Sequence, residues 1–148
     1  MTKEFVVQSP EDFSVVIDFI LETNHASGLC IVLRGDLGAG KTAFTQQLAK
    51  RLGVSEPVTS PTFTIMKQYS LRHAQFSQLV HIDAYRFEDE SEAKPLQLER
   101  VLGEPQSIVC VEWPERIASI IPSNAVSVSL AVNADESRTV RVDGKEDK

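Results

Sequence analysis

The chain has 148 residues, 21 acidic and 15 basic, for a formal charge of −6. That length suits one domain with one core, since a chain of this size buries roughly 68–70% of the surface its unfolded form exposes. The charge excludes a nucleic-acid groove of its own, because phosphate backbones are held by clustered Lys and Arg and no basic run here exceeds Lys50-Arg51. Cys30 and Cys110 each sit in an apolar run without a CxxC neighbour, so buried reduced thiols are expected in place of a disulfide or metal site. No apolar run approaches the roughly 18 residues of a membrane helix, and the first residues carry no apolar leader core; a soluble cytoplasmic protein is expected.

In chain order, residues 5–7 form a short candidate strand. Ser9-Pro10-Glu11-Asp12 supplies a helix cap, a proline at the first helical position and an acidic first turn. Phe13, Val16, Ile17, Ile20 and Leu21 then recur at the spacing of an amphipathic helix. Cys30-Ile31-Val32-Leu33 reads as a buried strand. Gly35-Asp36-Leu37-Gly38-Ala39-Gly40-Lys41-Thr42 follows, and Phe44, Leu48 and Leu52 keep helical spacing up to Gly53, a helix stop. Residues 64–69 predict a strand, 70–78 a polar hairpin loop, and Leu79-Val80-His81-Ile82-Asp83 a strand ending in an acid. The acidic run from Glu88 to Glu92 reads as the solvated face of a helix that Pro95 interrupts. Ile108-Val109-Cys110-Val111-Glu112 is another buried strand ending in an acid. Two C-terminal strands are expected at 126–132 and 139–142, with 1–142 as the single domain and 143–148 as a disordered tail. The alternation of strands and helices is that of an α/β fold.

The eight residues from Gly35 match the phosphate-loop pattern G-x-x-x-x-G-K-[ST] between a strand and a helix, the context the pattern requires. Backbone N–H groups from Asp36 through Leu37, Gly38, Ala39 and Gly40 to Lys41, Thr42 and Ala43 would converge on an anion at the helix start. Lys41, expected to be solvated in the empty loop, would reach the β- and γ-phosphates, and the Thr42 hydroxyl would ligate Mg²⁺. Open α/β sheets bind ligands beyond the carboxyl ends of their strands, so Asp83 and Glu112 would project from the same edge. Asp83 would hold Mg²⁺ directly or through water; the rival reading is an acid that caps a helix. Glu112 would orient or deprotonate an attacking water, or hold the metal through water; the rival is a plain surface Glu. Thr62, after Ser60-Pro61, stands where related NTPases keep a threonine that senses the γ-phosphate, unless Ser-Pro-Thr only makes a turn. Trp113 belongs either at the mouth of the site or in the core, and His81 reads as structural.

The ordered segments GDLGAGKT, VTSPTFTI, HIDAYRF and VEWPERI closely resemble the bacterial TsaE (YjeE) proteins, over most of the chain. Those are small ATPases needed for the threonylcarbamoyl modification of adenosine 37 in tRNAs that read ANN codons. The resemblance implies a P-loop NTPase-like three-layer fold, its central sheet mostly parallel with antiparallel additions at the C-terminal end. It implies ATP in the loop, Mg²⁺ near Thr42 and Asp83, Thr62 in a switch-like loop, and Glu112 and Trp113 lining the site. By position it adds Ser9, Glu11 and Arg138 as nucleotide contacts. The implied partners are TsaD and TsaB, with tRNA met only through that complex and neither membrane nor DNA involved. In the segment 91–105, Ala93-Lys94-Pro95-Leu96 replaces a glycine-containing helical motif of the family, and Ala43 replaces a frequent second threonine.

Two other classes share the phosphate loop. A small-molecule kinase would need an arginine lid and an acceptor pocket, and Arg72, Arg86 and Arg100 form no recognisable lid pattern. A nucleotide-dependent binding switch of the GTP kind would need a guanine-reading N-K-x-D, which the chain lacks.

Overall fold

The computed structural model describes residues 2–23, 28–36, 39–58, 65–73 and 75–144. Seven strands form one sheet: β1 (Thr2–Val7), β2 (Leu29–Arg34), β3 (Met66–Ser70), β4 (Gln78–Asp83), β5 (Ser107–Glu112), β6 (Val126–Val132) and β7 (Arg138–Asp143). Their spatial order is β1-β7-β6-β2-β5-β4-β3. The four central strands, β6, β2, β5 and β4, run parallel. Antiparallel strands flank them on both sides, β7 and β1 at one edge and β3 at the other. The C-terminal additions expected from the sequence are therefore split: β7 is antiparallel, while β6 joins β2 in parallel.

Every residue of β5 is buried, and β2 is exposed only at Arg34, the pattern of strands covered on both faces. On one face Leu29, Ile31, Leu33, Leu79, Ile108 and Cys110 pack with Phe13, Ile17, Ile20, Phe44 and Leu48 from α1 (Phe13–Thr23) and α2 (Lys41–Arg51). On the other, Cys30, Val32, Val80, Ile82, Val109 and Val111 meet Leu98 and Leu102 of α3 (Leu98–Leu102) and Ile117 of a 3-10 helix over Pro114–Ile120. The result is a three-layer α/β domain. Among the described residues no helix is long and apolar enough to cross a membrane.

Three departures from the sequence reading have a physical reason in the structure. β1 starts at Thr2, because pairing with β7 recruits Thr2, Lys3 and Glu4, which no hydrophobic pattern would assign to a strand. β7 ends at Asp143, which pairs with both Thr2 and Ser127, so the ordered domain extends past 142; residues 145–148 of the expected tail lie outside the described set. The helix expected near Glu88 is a 3-10 helix over Glu90–Leu96 that contains Pro95, then a break at Gln97 (φ 56°) before α3. Its acidic run is more than a solvated face. Glu92 accepts from the Glu88 and Asp89 N–H groups at 2.6 and 3.0 Å, and Glu90 accepts from the Ser119 N–H and hydroxyl at 2.9 and 2.6 Å. Those Ser119 bonds hold the Glu90 carboxyl below its ordinary range.

Cys30 and Cys110 are free and buried, as the sequence predicted. Burial pushes the Cys30 thiol up to about 12 and raises Cys110 further, because a thiolate would be stripped of water. A thiol-specific reagent at pH 8 is therefore expected to label neither cysteine in the native protein and both in denaturant. Stability falls as pH rises above the ordinary thiol value of 9.0, where the unfolded chain ionises and the folded one does not. Rapid labelling of the native chain would contradict this burial.

Candidate functional site

Two glycines shape the described part of the turn between β2 and α2. Gly35 has φ 150°, and a Cβ on it would lie 2.7 Å from the Leu130 carbonyl oxygen and 3.2 Å from the Ala39 Cβ. No other residue fits there. Gly40 caps α2 at φ 109°, which lets the chain reverse into the helix and leaves the first-turn N–H groups without intrahelical acceptors. The Ala39 N–H closes the turn on the Asp36 carbonyl at 3.0 Å.

Lys41 is the first residue of α2 and is 5% exposed, which corrects the expectation of a solvated side chain. Its ammonium donates to the Gly35 carbonyl at 2.9 Å and lies 4.1 Å from the centre of the Trp113 ring. The indole face and the carbonyl dipole replace part of the lost hydration. Trp113 thus covers Lys41 at the loop and, half-buried, also packs against the apolar layer on the other face of the sheet. Its backbone is left-handed (φ 59°, ψ 51°) between Glu112 and Pro114, strain that an observed partner explains: the turn aims the ring back at Lys41. Tyr85, itself exposed, packs on the same indole with ring centres 5.1 Å apart.

The carboxyl ends of β4 and β5 lie in one row with the end of β2, the strand that leads into this loop. Asp83 and Glu112 are direct partners across the parallel ladder, and Glu112 is in turn opposite Leu33 at the end of β2. Each is 5% exposed, so Glu112 is not a plain surface residue. Asp83 accepts the Tyr85 N–H at 3.0 Å. Glu112 Oε2 lies 2.6 Å from Nε2 of His81, a fully buried side chain. Sequence reasoning missed this contact by treating His81 as structural. The available signal was its spacing: His81 and Asp83 are two apart in a strand and must share a face.

Arg138, the first residue of β7, donates through Nε to the Ala39 carbonyl at 3.1 Å, and its guanidinium also donates to the Glu136 carbonyl. The C-terminal arginine does reach the loop. The 3-10 turn Pro10–Asp12 packs against α2, and the Phe13 ring tip would be 3.6 Å from a Cβ at Gly40. Ser9 and Glu11 themselves are exposed at that edge. Asp36 is exposed, Thr42 is half-buried on the first turn of α2, and Ala43 packs against the core under the helix. Leu37, Gly38 and Thr62 lie outside the described residues.

Among the described residues no three His, Cys, Asp or Glu side chains cluster as a metal cage. A pair of adjacent strand-end carboxylates is nevertheless a suitable donor set for Mg²⁺, which uses one or two carboxylates and takes its remaining oxygens from other donors, water and phosphate.

A family model described as threonylcarbamoyl adenosine biosynthesis protein TsaE matches residues 7–140. The chain is 36% identical over 136 residues to the tRNA threonylcarbamoyladenosine biosynthesis protein TsaE of Treponema pallidum, covering 91% of this chain and 93% of that protein. With the protein of the same name from Bacillus subtilis it shares 40% identity over 113 residues, covering 76% and 68%. Among solved structures, the crystal structure of YdiB from Bacillus subtilis superposes with a TM-score of 0.72 at 26% identity, covering 97% of this chain and 86% of that one.

Gly35→Ala is expected to destabilise the fold by about 1–3 kcal/mol, since it places a methyl group against backbone at a positive φ. Urea denaturation measures this, and a midpoint equal to that of the parent protein would show that the turn is not held as described.

Proposed function

On the premise that the chain belongs to the TsaE family of threonylcarbamoyladenosine biosynthesis proteins, we propose that it binds and hydrolyses ATP with Mg²⁺. In this reading it is an accessory ATPase of the cytoplasm, required for threonylcarbamoylation of adenosine 37 in tRNAs reading ANN codons, and it acts on the TsaD–TsaB pair. The observation that carries the ATPase reading is the convergence of the Lys41 helix start, Asp83 and Glu112 at one edge of the sheet.

The Lys41 ammonium already lies at the loop, so an anion there needs only to displace the Gly35 carbonyl from it. That exchange replaces a bond from the ammonium to a neutral carbonyl by one to an anionic oxygen, in which both partners carry charge. Backbone N–H groups of the first turn of α2 supply further donors to phosphate oxygens. Asp83 and the Thr42 hydroxyl would hold Mg²⁺, whose charge stabilises the phosphate oxygens as the terminal bond breaks. Glu112, nearly buried and fixed at one oxygen, is placed to orient a water and accept its proton. Trp113 covers Lys41 and limits its access to solvent.

The experiment pairs two variants. Lys41→Ala is expected to weaken ATP binding at least tenfold by calorimetry, the equivalent of a charge-assisted contact of about 1.5–3 kcal/mol. Glu112→Gln keeps shape and hydrogen bonding but cannot take a proton, so it is expected to bind ATP and release phosphate far more slowly. If both variants match the parent, the proposal fails.

The partner reading follows from charge. A chain of net charge −6 is ill suited to hold tRNA alone, so it would meet tRNA only through a protein complex. Phosphate release is expected to be slow for the isolated protein, unchanged by tRNA, and faster with TsaD and TsaB present. Stimulation by tRNA alone, with none from the protein pair, would overturn this assignment.

A further inference from the structure

His81 is fully buried in β4, yet a core position of its size could be filled by leucine without importing an imidazole. Its place in the ladder explains the choice. His81 is opposite Cys110, two residues along the strand from the Asp83–Glu112 pair, so its ring and the Glu112 side chain share the α2 face as diagonal neighbours. Nε2 and Glu112 Oε2 meet at 2.6 Å. With Glu112 ionised, as a base must be, the carboxylate only accepts and Nε2–H is the donor of this contact. Nδ1 has no partner among the described residues. One ring nitrogen is thus spent on Glu112 and the other on nothing, unlike an imidazole held by packing with both nitrogens satisfied elsewhere.

We infer that His81 is a positioning residue for Glu112. The inference rests on the proposed role of Glu112 and goes beyond it. Glu112 has several rotatable bonds, and freezing them on the reaction path costs entropy unless it is done beforehand. The Nε2–H bond fixes Oε2 in the folded protein, leaving Oε1 as the oxygen available to water. Orientation of a base by a third group on the far side from the reacting atoms is a recurrent device. Thr45 on α2, itself fully buried, donates to the Lys41 carbonyl at 3.2 Å.

The test uses the full chain with His81→Leu, which fills the volume without a donor, and His81→Gln, whose amide N–H stands near the Nε2 position. His81→Leu is expected to lower kcat for ATP hydrolysis by about 10–100-fold. Its KM and its ATP affinity by calorimetry stay within about twofold of the parent, because ground-state binding does not use this contact. His81→Gln is expected to recover most of the lost kcat, the reverse of the order that packing alone would give. A second readout needs no turnover: in the parent, proton NMR is expected to show a downfield imidazole N–H resonance that moves upfield in Glu112→Gln. Slow Glu112→Gln with a parental rate in His81→Leu would overturn the positioning role and leave the ATPase reading intact. A parental rate in Glu112→Gln would overturn both. Should His81→Leu not fold, the resonance decides, and one unmoved by Glu112→Gln sinks the inference.

Discussion

The parallel register of β2, β5 and β4 is the constraint on which the candidate site depends. It puts Leu33, Glu112 and Asp83 in one row at the carboxyl edge, next to the turn that opens α2. Side chains alternate along a strand, so a slip of one residue would move Glu112 to the opposite face and bring the apolar Val111 into its place. The slip is resisted along the whole length of both central strands, because residues on each face are buried against a different layer. Two polar groups at the strand ends are therefore held by apolar packing several residues away.

The loop depends on the far end of the chain in the same manner. Leu130 of β6 brings its carbonyl so near Gly35 that only a glycine fits, and Arg138 of β7 holds the Ala39 carbonyl from the other side. These contacts follow from β6 pairing in parallel with β2 and β7 returning beside it. The phosphate-loop turn is local in sequence, but its backing is supplied by the last two strands.

Charge at the site is arranged so that little of it is unpartnered. Lys41 rests on a carbonyl and an indole face, Asp83 on the Tyr85 N–H, and Glu112 on His81. Buried charges survive only with such partners, and each partner here is weaker than a phosphate or a metal ion would be. The nucleotide proposed for this site would therefore take Lys41 from its resting contact with the core left intact. The strained left-handed backbone at Trp113 belongs to the same arrangement, since it turns the ring over the lysine.

The sequence by itself determined the central strands, the two long helices, the glycine-rich turn and the acids that end β4 and β5. Each is written in a local pattern: apolar runs, helical spacing, or glycine at positions that need its backbone freedom. The tertiary structure alone decided which strands are neighbours and in which direction, and so what the acids face. It showed Lys41 buried under Trp113, because that contact joins residues 72 positions apart through a left-handed turn no periodicity announces. It gave Asp143 and Thr2 to the sheet through pairing between the two ends of the chain. His81 was legible only as a buried histidine until register set Glu112 diagonally across from it. Local chemistry is carried by short-range pattern, whereas partnership between side chains is fixed by strand order, which depends on the packing of the whole chain.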